Sequence, residues 1–247
     1  MSELGRTKER LHAEMTRGHA IVFSATLAQL HGFEPMLTNA ERARFDRVRV
    51  PQQRRLHALG RGLVRYFLDL PCTEFTTAPA GKIRVPGATH FNISHTADTI
   101  AVAVHPSRAV GVDIEDRARA VQDAALIARV CHPNEIRWIA RHAPEQRTLA
   151  FLRCWVRKEA LLKARGTGLV DDLHTIDTRA DTHDADAHAT GVPQLRLWDF
   201  PQSDGALPGA LATASDVAHV HFLSPDTPPS RSATRSLADE PCDAPCV

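Results

Sequence analysis

Apolar residues recur at helical spacing along "QQRRLHALGRGLVRYFLDL", where Leu56, Leu59, Leu63, Phe67 and Leu70 share one face. That spacing predicts a helix directly after Pro51. Upstream, Thr38 and Asn39 offer a cap for a shorter helix through "AERARFDRV". Earlier still, "HAIVFSATLAQL" is apolar without a helical period and reads as a first core strand. From Glu74 to Asp116 the period changes. "EFTTAPAGKIRVPGATHFNISHTADTIAVAVHPSRAVGVDIED" breaks into short alternating or fully apolar runs at Pro-Ala-Gly, Pro-Gly, Thr-Ala-Asp and Pro-Ser turns, predicting strands joined mostly as hairpins.

Helices return in "VQDAALIARVC", in "PNEIRWIARHA" with Pro133 at a tolerated first position, and in "PEQRTLAFLRCWVRKEALLKARG", which Gly166 would end. Strand-like "LHTIDT", "PQLRLWDF" and "VAHVHFL" follow. The order predicts an α+β architecture of two roughly similar halves, residues 1–110 and 111–223, meeting near Gly111. Beyond Ser224 the sequence is rich in Pro, Ser and Asp, so residues 224–247 are expected to form a disordered tail.

Composition changes this picture little. At 247 residues, with 43% hydrophobic and 24% charged residues, the chain can bury a sizeable core without staples. A formal net charge of +1 gives no reason to expect a nucleic-acid or membrane-surface partner. The five cysteines (Cys72, Cys131, Cys154, Cys242, Cys246) have no paired C-x-x-C spacing, which argues against a disulfide framework and fits a reducing cytoplasm.

The chemistry is carried by carboxylates placed where a core belongs. In an extended strand Asp113 and Glu115 project together, while Val112 and Ile114 face the other way. Two like charges so placed call for a cation between them, and magnesium suits a carboxylate pair. On the long helix Leu152, Trp155, Glu159 and Leu162 fall on one stripe, which puts Glu159 on the face to be buried. An i,i+4 pair with Lys163 accounts for the spacing of Glu159 but not for its place on an apolar stripe. In "FNISH" the adjacent Ser94 and His95 point to opposite faces and cannot serve each other as nucleophile and base. They suit an anion better. Lys82, after Gly81 in a turn, could meet phosphate.

"HFNISH", "VGVDIED" and "FLRCWVRKEALLKARGTGL", in this order, resemble the surfactin-synthetase type of 4′-phosphopantetheinyl transferase, from about Glu41 to Leu173. The resemblance implies a pseudo-symmetric monomer with coenzyme A bound in a cleft between two similar α/β halves. It implies transfer of the phosphopantetheine arm of coenzyme A to a serine of an acyl or peptidyl carrier protein, releasing adenosine 3′,5′-bisphosphate. By motif match, Asp113, Glu115 and Glu159 would hold magnesium. Ser94 and His95 would hold the 3′-phosphate, with Lys82 and Arg44 near the nucleotide phosphates. Lys163 would face the pyrophosphate, and Glu159 would deprotonate the serine. Ile83 departs from the proline usual after the Gly-Lys turn, and Glu135 matches an acid whose role the motif leaves open.

Two other readings use the same residues: a magnesium-dependent phosphohydrolase or nuclease, and a non-catalytic module binding coenzyme A. The "GTG" at 166–168 follows a helix and is not a dinucleotide fingerprint. His183 and His188 fall in a loop, and His219 and His221 share a strand face; with no acid or cysteine in register, metal binding at either pair is the lesser of the two readings.

Overall fold

The computed structural model describes residues 2–71, 73–78, 81–85, 87, 89–119, 124–168, 172–179, 184–186, 194–201 and 207–225. Nearly all of the expected tail, from 226 on, lies outside the described residues, as do Cys72, Cys242, Cys246, His183 and His188.

The first element is a helix that the apolar pattern does not announce. α1 (Glu3–Thr16) buries only Thr7 and Leu11, and Ser2 caps it by accepting from Gly5 N. β1 (Ala20–Thr26) is the expected core strand. α2 (Asn39–Phe45) begins in a capping box between Thr38 and Glu41, and α3 (Pro51–Phe67) starts on Pro51. The short pair β2 (Thr76–Thr77) and β3 (Ile83–Arg84) precedes the hairpin β4 (His90–Thr96) and β5 (Thr99–His105). β6 (Val110–Ile114) then leaves for another sheet.

The helices α4 (Ala124–Val130), α5 (Pro133–Ala140) and α6 (Pro144–Arg165) follow, and Gly166 ends α6 in the left-handed conformation as expected. "LHTIDT", expected as a strand, is instead a 3-10 turn over Leu173–Thr175. Asp172 O accepts both the N–H and the hydroxyl of Thr175, a local bond that competes with a ladder. β7 (Asp184–Asp186), β8 (Leu195–Asp199), β9 (Gly209–Ala214) and β10 (Val220–Leu223) complete the chain.

Two four-stranded sheets result, ordered β10-β1-β5-β4 and β6-β9-β8-β7. Their inner faces meet: Ala20, Val22, Ala101 and Ala103 pack on Val110, Val112, Ile114 and Leu211. The outer face of the first sheet (Phe23, Ile100, Val102) is covered by Leu56, Leu59, Leu63 and Phe67 of α3, the residues singled out by helical spacing. The outer face of the second (Leu197, Ala210, Ala212) is covered by Val156, Ala160 and Ala164 of α6. The fold is therefore mixed α+β. β10, from the end of the described chain, pairs in parallel with β1, with His221 opposite Ile21.

Candidate active site

The site begins with a glycine. Gly111 in β6 carries no side chain, and a Cβ there would run into the backbone of Ala160, Lys163 and Ala164. Backbone therefore lies against backbone, and the following side chain on that face, Asp113, meets the last turns of α6. Asp113 is buried, and its Oδ1 accepts from Lys163 Nζ at 2.6 Å and from Ser94 Oγ at 2.9 Å. The i,i+4 pairing of Lys163 with Glu159 that the sequence allows is not the ion pair formed.

Asn92 and Ser94 explain why polar groups interrupt β4. Asn92 Oδ1 accepts from Val112 N at 2.8 Å and Ser94 Oγ from Ile114 N at 3.3 Å. Two alternate side chains of one strand thus occupy alternate amides of β6 and join the two sheets beside the site. Ser94 faces Asp113 and Lys163, whereas His95 points to the other side, as strand alternation requires.

Glu115 forms an ion pair with Arg119, and Glu159 comes from α6. Burial pushes the carboxyl groups of Asp113, Glu115 and Glu159 above their usual range, and mutual repulsion pushes further on Glu115 and Glu159. Among the described residues, Asp113 Oδ2 and Glu159 Oε1 are buried oxygens with no hydrogen-bond partner. Two orphaned carboxylate oxygens amid like charge are what a hard divalent cation would satisfy, so these residues fit magnesium. They are not drawn into the tightest donor groups. Among the described residues, groups with ligand atoms all within 4.8 Å of one another are Glu14–His19–His221 and Cys131–Glu135–Cys154.

A cavity of about 310 Å³ opens beside Glu159 and Lys163, bounded by Gly81, Lys82, Asn92 and Gly166. Lys82 Nζ is already engaged there, donating to the carbonyls of Val110, Lys163 and Ala164, and burial lowers its pKa to about 8. A second cavity of about 380 Å³ shares Gly81, Ile83 and Ile93 with the first and gathers Arg44, His57, Arg61 and His95. The rings of His57 and His95 meet edge to face at 4.7 Å. Burial, then His57 and Lys163, lowers the His95 pKa to about 4, so its ring is neutral and the cavity's fixed charge is that of the arginines.

Comparison with known proteins bears directly on this arrangement. A model of the 4′-phosphopantetheinyl transferase superfamily matches residues 109–210, the span from β6 through α6 to β9. The chain is 30% identical over 179 residues to the 4′-phosphopantetheinyl transferase psf-1 of Bacillus pumilus, covering 69% of this chain and 72% of that one. The chain belongs to this superfamily. It is also 29% identical over 153 residues (58% of this chain) to the 4′-phosphopantetheinyl transferase HetI of a Nostoc species. A putative 4′-phosphopantetheinyl transferase of a Synechocystis species is 28% identical over 155 residues (59% of this chain). The chain spans 65% and 63% of the lengths of these last two proteins.

In the structure Asp113 touches Lys163 and Ser94, Glu115 and Glu159 lie near enough to feel its charge, and Arg44 and His95 line the adjoining cavity. His57 and Arg61 join that cavity without having been expected there. Their one sequence signal is a place in an arginine-rich helix. Glu135, whose role the motif left open, is structural. It is buried, closes the capping box of α5 through His132 N, accepts from Thr178 N and Oγ1, and pairs with Lys158 Nζ at 2.9 Å. Among the described residues no helix is long and apolar enough to cross a membrane.

Proposed function

We propose that this chain transfers the 4′-phosphopantetheine arm of coenzyme A to a serine of an acyl or peptidyl carrier protein and releases adenosine 3′,5′-bisphosphate. The observation that carries this reading is the pair of orphaned oxygens, Asp113 Oδ2 and Glu159 Oε1, with Glu159 on the wall of a cavity that adjoins a second one holding Arg44, His57, Arg61 and His95. Family membership and the similarity to psf-1 support it.

In this reading residues 1–110 and 111–223 are two comparable halves of a monomer, with β10 crossing back into the first, and coenzyme A lies in the cleft between them. Arg44 and Arg61 attract the nucleotide phosphates, and the neutral His95 ring offers a hydrogen bond to one of them. Asp113, Glu115 and Glu159 would hold magnesium, which when bound neutralises and orients the diphosphate. Lys163 faces the same diphosphate and stabilises charge developing on the departing phosphate oxygen. Glu159, held above the ordinary carboxyl range, takes the proton of the incoming serine directly or through a water. Lys82 keeps the end of α6 against β6 and so keeps Lys163 in place. The location is the cytoplasm, in keeping with the buried free thiols of Cys131 and Cys154.

Arg165, exposed at the end of α6, together with Thr167 and Gly168 forms the face offered to an acidic carrier protein; residues 169–171 of the same stretch lie outside the described residues. Charge reversal at Arg165 should raise the KM for carrier protein, and an unchanged KM removes this assignment.

Intact-mass analysis of an apo carrier protein incubated with the chain, coenzyme A and magnesium tests the reaction. A gain of one phosphopantetheine group is expected. Phosphodiester cleavage without coenzyme A, or coenzyme A bound without transfer, would replace this reading by a hydrolase or by a binding module.

A further inference from the structure

The end of α1 and strand β10 bring together a donor set that sequence spacing hides. α1 closes through Gly18, which adopts φ +80°, with Gly18 N donating to Met15 O and His19 N donating to Glu14 O. This paired closure folds His19 back over the last helical turn. The parallel register of β10 with β1 places His221 opposite Ile21, on the same edge.

Three atoms from these three segments form a triangle. His19 Nδ1 lies 2.8 Å from Glu14 Oε2 and 3.0 Å from His221 Nε2, and His221 Nε2 lies 3.2 Å from Glu14 Oε2. Protons alone satisfy this poorly. If both rings donate to the carboxylate, their two N–H groups crowd each other across 3.0 Å; if only one donates, the other ring faces the carboxylate with a lone pair. Zinc–nitrogen bonds of about 2.0–2.1 Å in a tetrahedron put ligand atoms about 3.3 Å apart, close to the observed edges.

We propose that Glu14, His19 and His221 form a zinc site that staples the end of α1 and the start of β1 to β10. The side chains are 13%, 19% and 6% exposed, so a cation here is largely withdrawn from water. The other carboxylate oxygen of Glu14 accepts from Arg17 at 2.7 Å, which orients the ligand. The set is two imidazoles and one carboxylate, a borderline-soft combination that selects zinc over magnesium, and it stands apart from the site containing Asp113.

The competing donor group, Cys131–Glu135–Cys154, has its carboxylate committed to Lys158, Thr178 and His132. The test is zinc titration of the full chain, metal-stripped, against a chromophoric chelator in excess magnesium, which occupies the carboxylate site. One zinc per chain is expected, with a raised unfolding midpoint. Binding should persist in Cys131→Ala and weaken at least about tenfold in Glu14→Gln, His19→Ala and His221→Ala. If His221→Ala fails to fold, His19→Ala at the partly exposed turn decides. Cobalt(II) in the same site should give the visible bands of a tetrahedral nitrogen–oxygen set without thiolate charge transfer. Zinc binding unchanged in His19→Ala and Glu14→Gln, or no zinc bound at all, overturns the proposal.

Discussion

Lys163 Nζ sits 2.6 Å from Asp113 Oδ1, fifty residues away in sequence, while Glu159 on the same helix keeps an unpartnered buried oxygen. The ammonium thus stands between two acids and neutralises one. Removing either acid should therefore have opposite effects on stability. Glu159→Gln deletes an unpaired charge and should leave the unfolding midpoint equal or higher. Asp113→Asn strips Lys163 of its counter-ion and should cost about 1–3 kcal/mol. Both should lower phosphopantetheine transfer by about a hundredfold or more in a carrier-protein mass assay. Normal transfer by either variant would mean that the reacting centre lies elsewhere.

Gly111→Ala should be severe although it adds a single methyl group. The Cβ would meet the backbone of α6 on the strand carrying Asp113, so helix and strand must separate. A loss of about 1–3 kcal/mol, the usual cost of overpacking, is expected by denaturant titration. Transfer should fall further than stability alone explains.

His95 supplies a pH signature. Its folded-state pKa of about 4 lies below the ordinary imidazole value of 6.5, so the folded chain binds the proton less readily than the unfolded one. The stability it contributes is therefore complete above pH about 6.5 and is lost as pH falls towards about 4. Subtracting the stability of His95→Gln from that of wild type across this window isolates the effect. After allowance for screening of a partly exposed ring, the difference should shrink by about 1–2 kcal/mol. A difference that is flat with pH would show that the ring is not held neutral by its surroundings.

Arg44 lines the distal cavity from the solvent side. Arg44→Ala should raise the KM for coenzyme A several-fold with kcat little changed, and added salt should narrow the gap between variant and wild type. A drop in kcat alone would place Arg44 nearer the chemistry.

Glu135→Ala should damage folding and leave the chemistry alone. It removes a cap from α5 and leaves the Lys158 ammonium buried with only carbonyl partners. Thermal or chemical unfolding should register a loss of about 3–5 kcal/mol.

Much of the site was legible because short periods fix directions. The two-residue repeat aimed Asp113 away from Val112 and Ile114, and the helical repeat put Glu159 and Leu162 on one stripe. Alternation likewise separated Ser94 from His95. What could not be read was contact between elements. That Lys163 would choose Asp113 depends on Gly111 allowing the helix close, and that His57 and Arg61 would join His95 depends on how α3 lies across the sheet. Glu14 meets His221 only because β10 pairs with β1, a parallel register no local pattern encodes. α1 was missed for a simpler reason: with two buried residues it carries almost no apolar stripe.

The parallel pairing of β10 with β1 also sets an order of events during synthesis. β1 leaves the ribosome well before its partner on one side, residues 220–223, which emerges some two hundred residues later. Until then the strand presents an open edge of unpaired amides, and a nascent or prematurely terminated chain ending before Val220 would keep it. Such an edge is the natural grip for a chaperone and, without one, for a second unfinished copy.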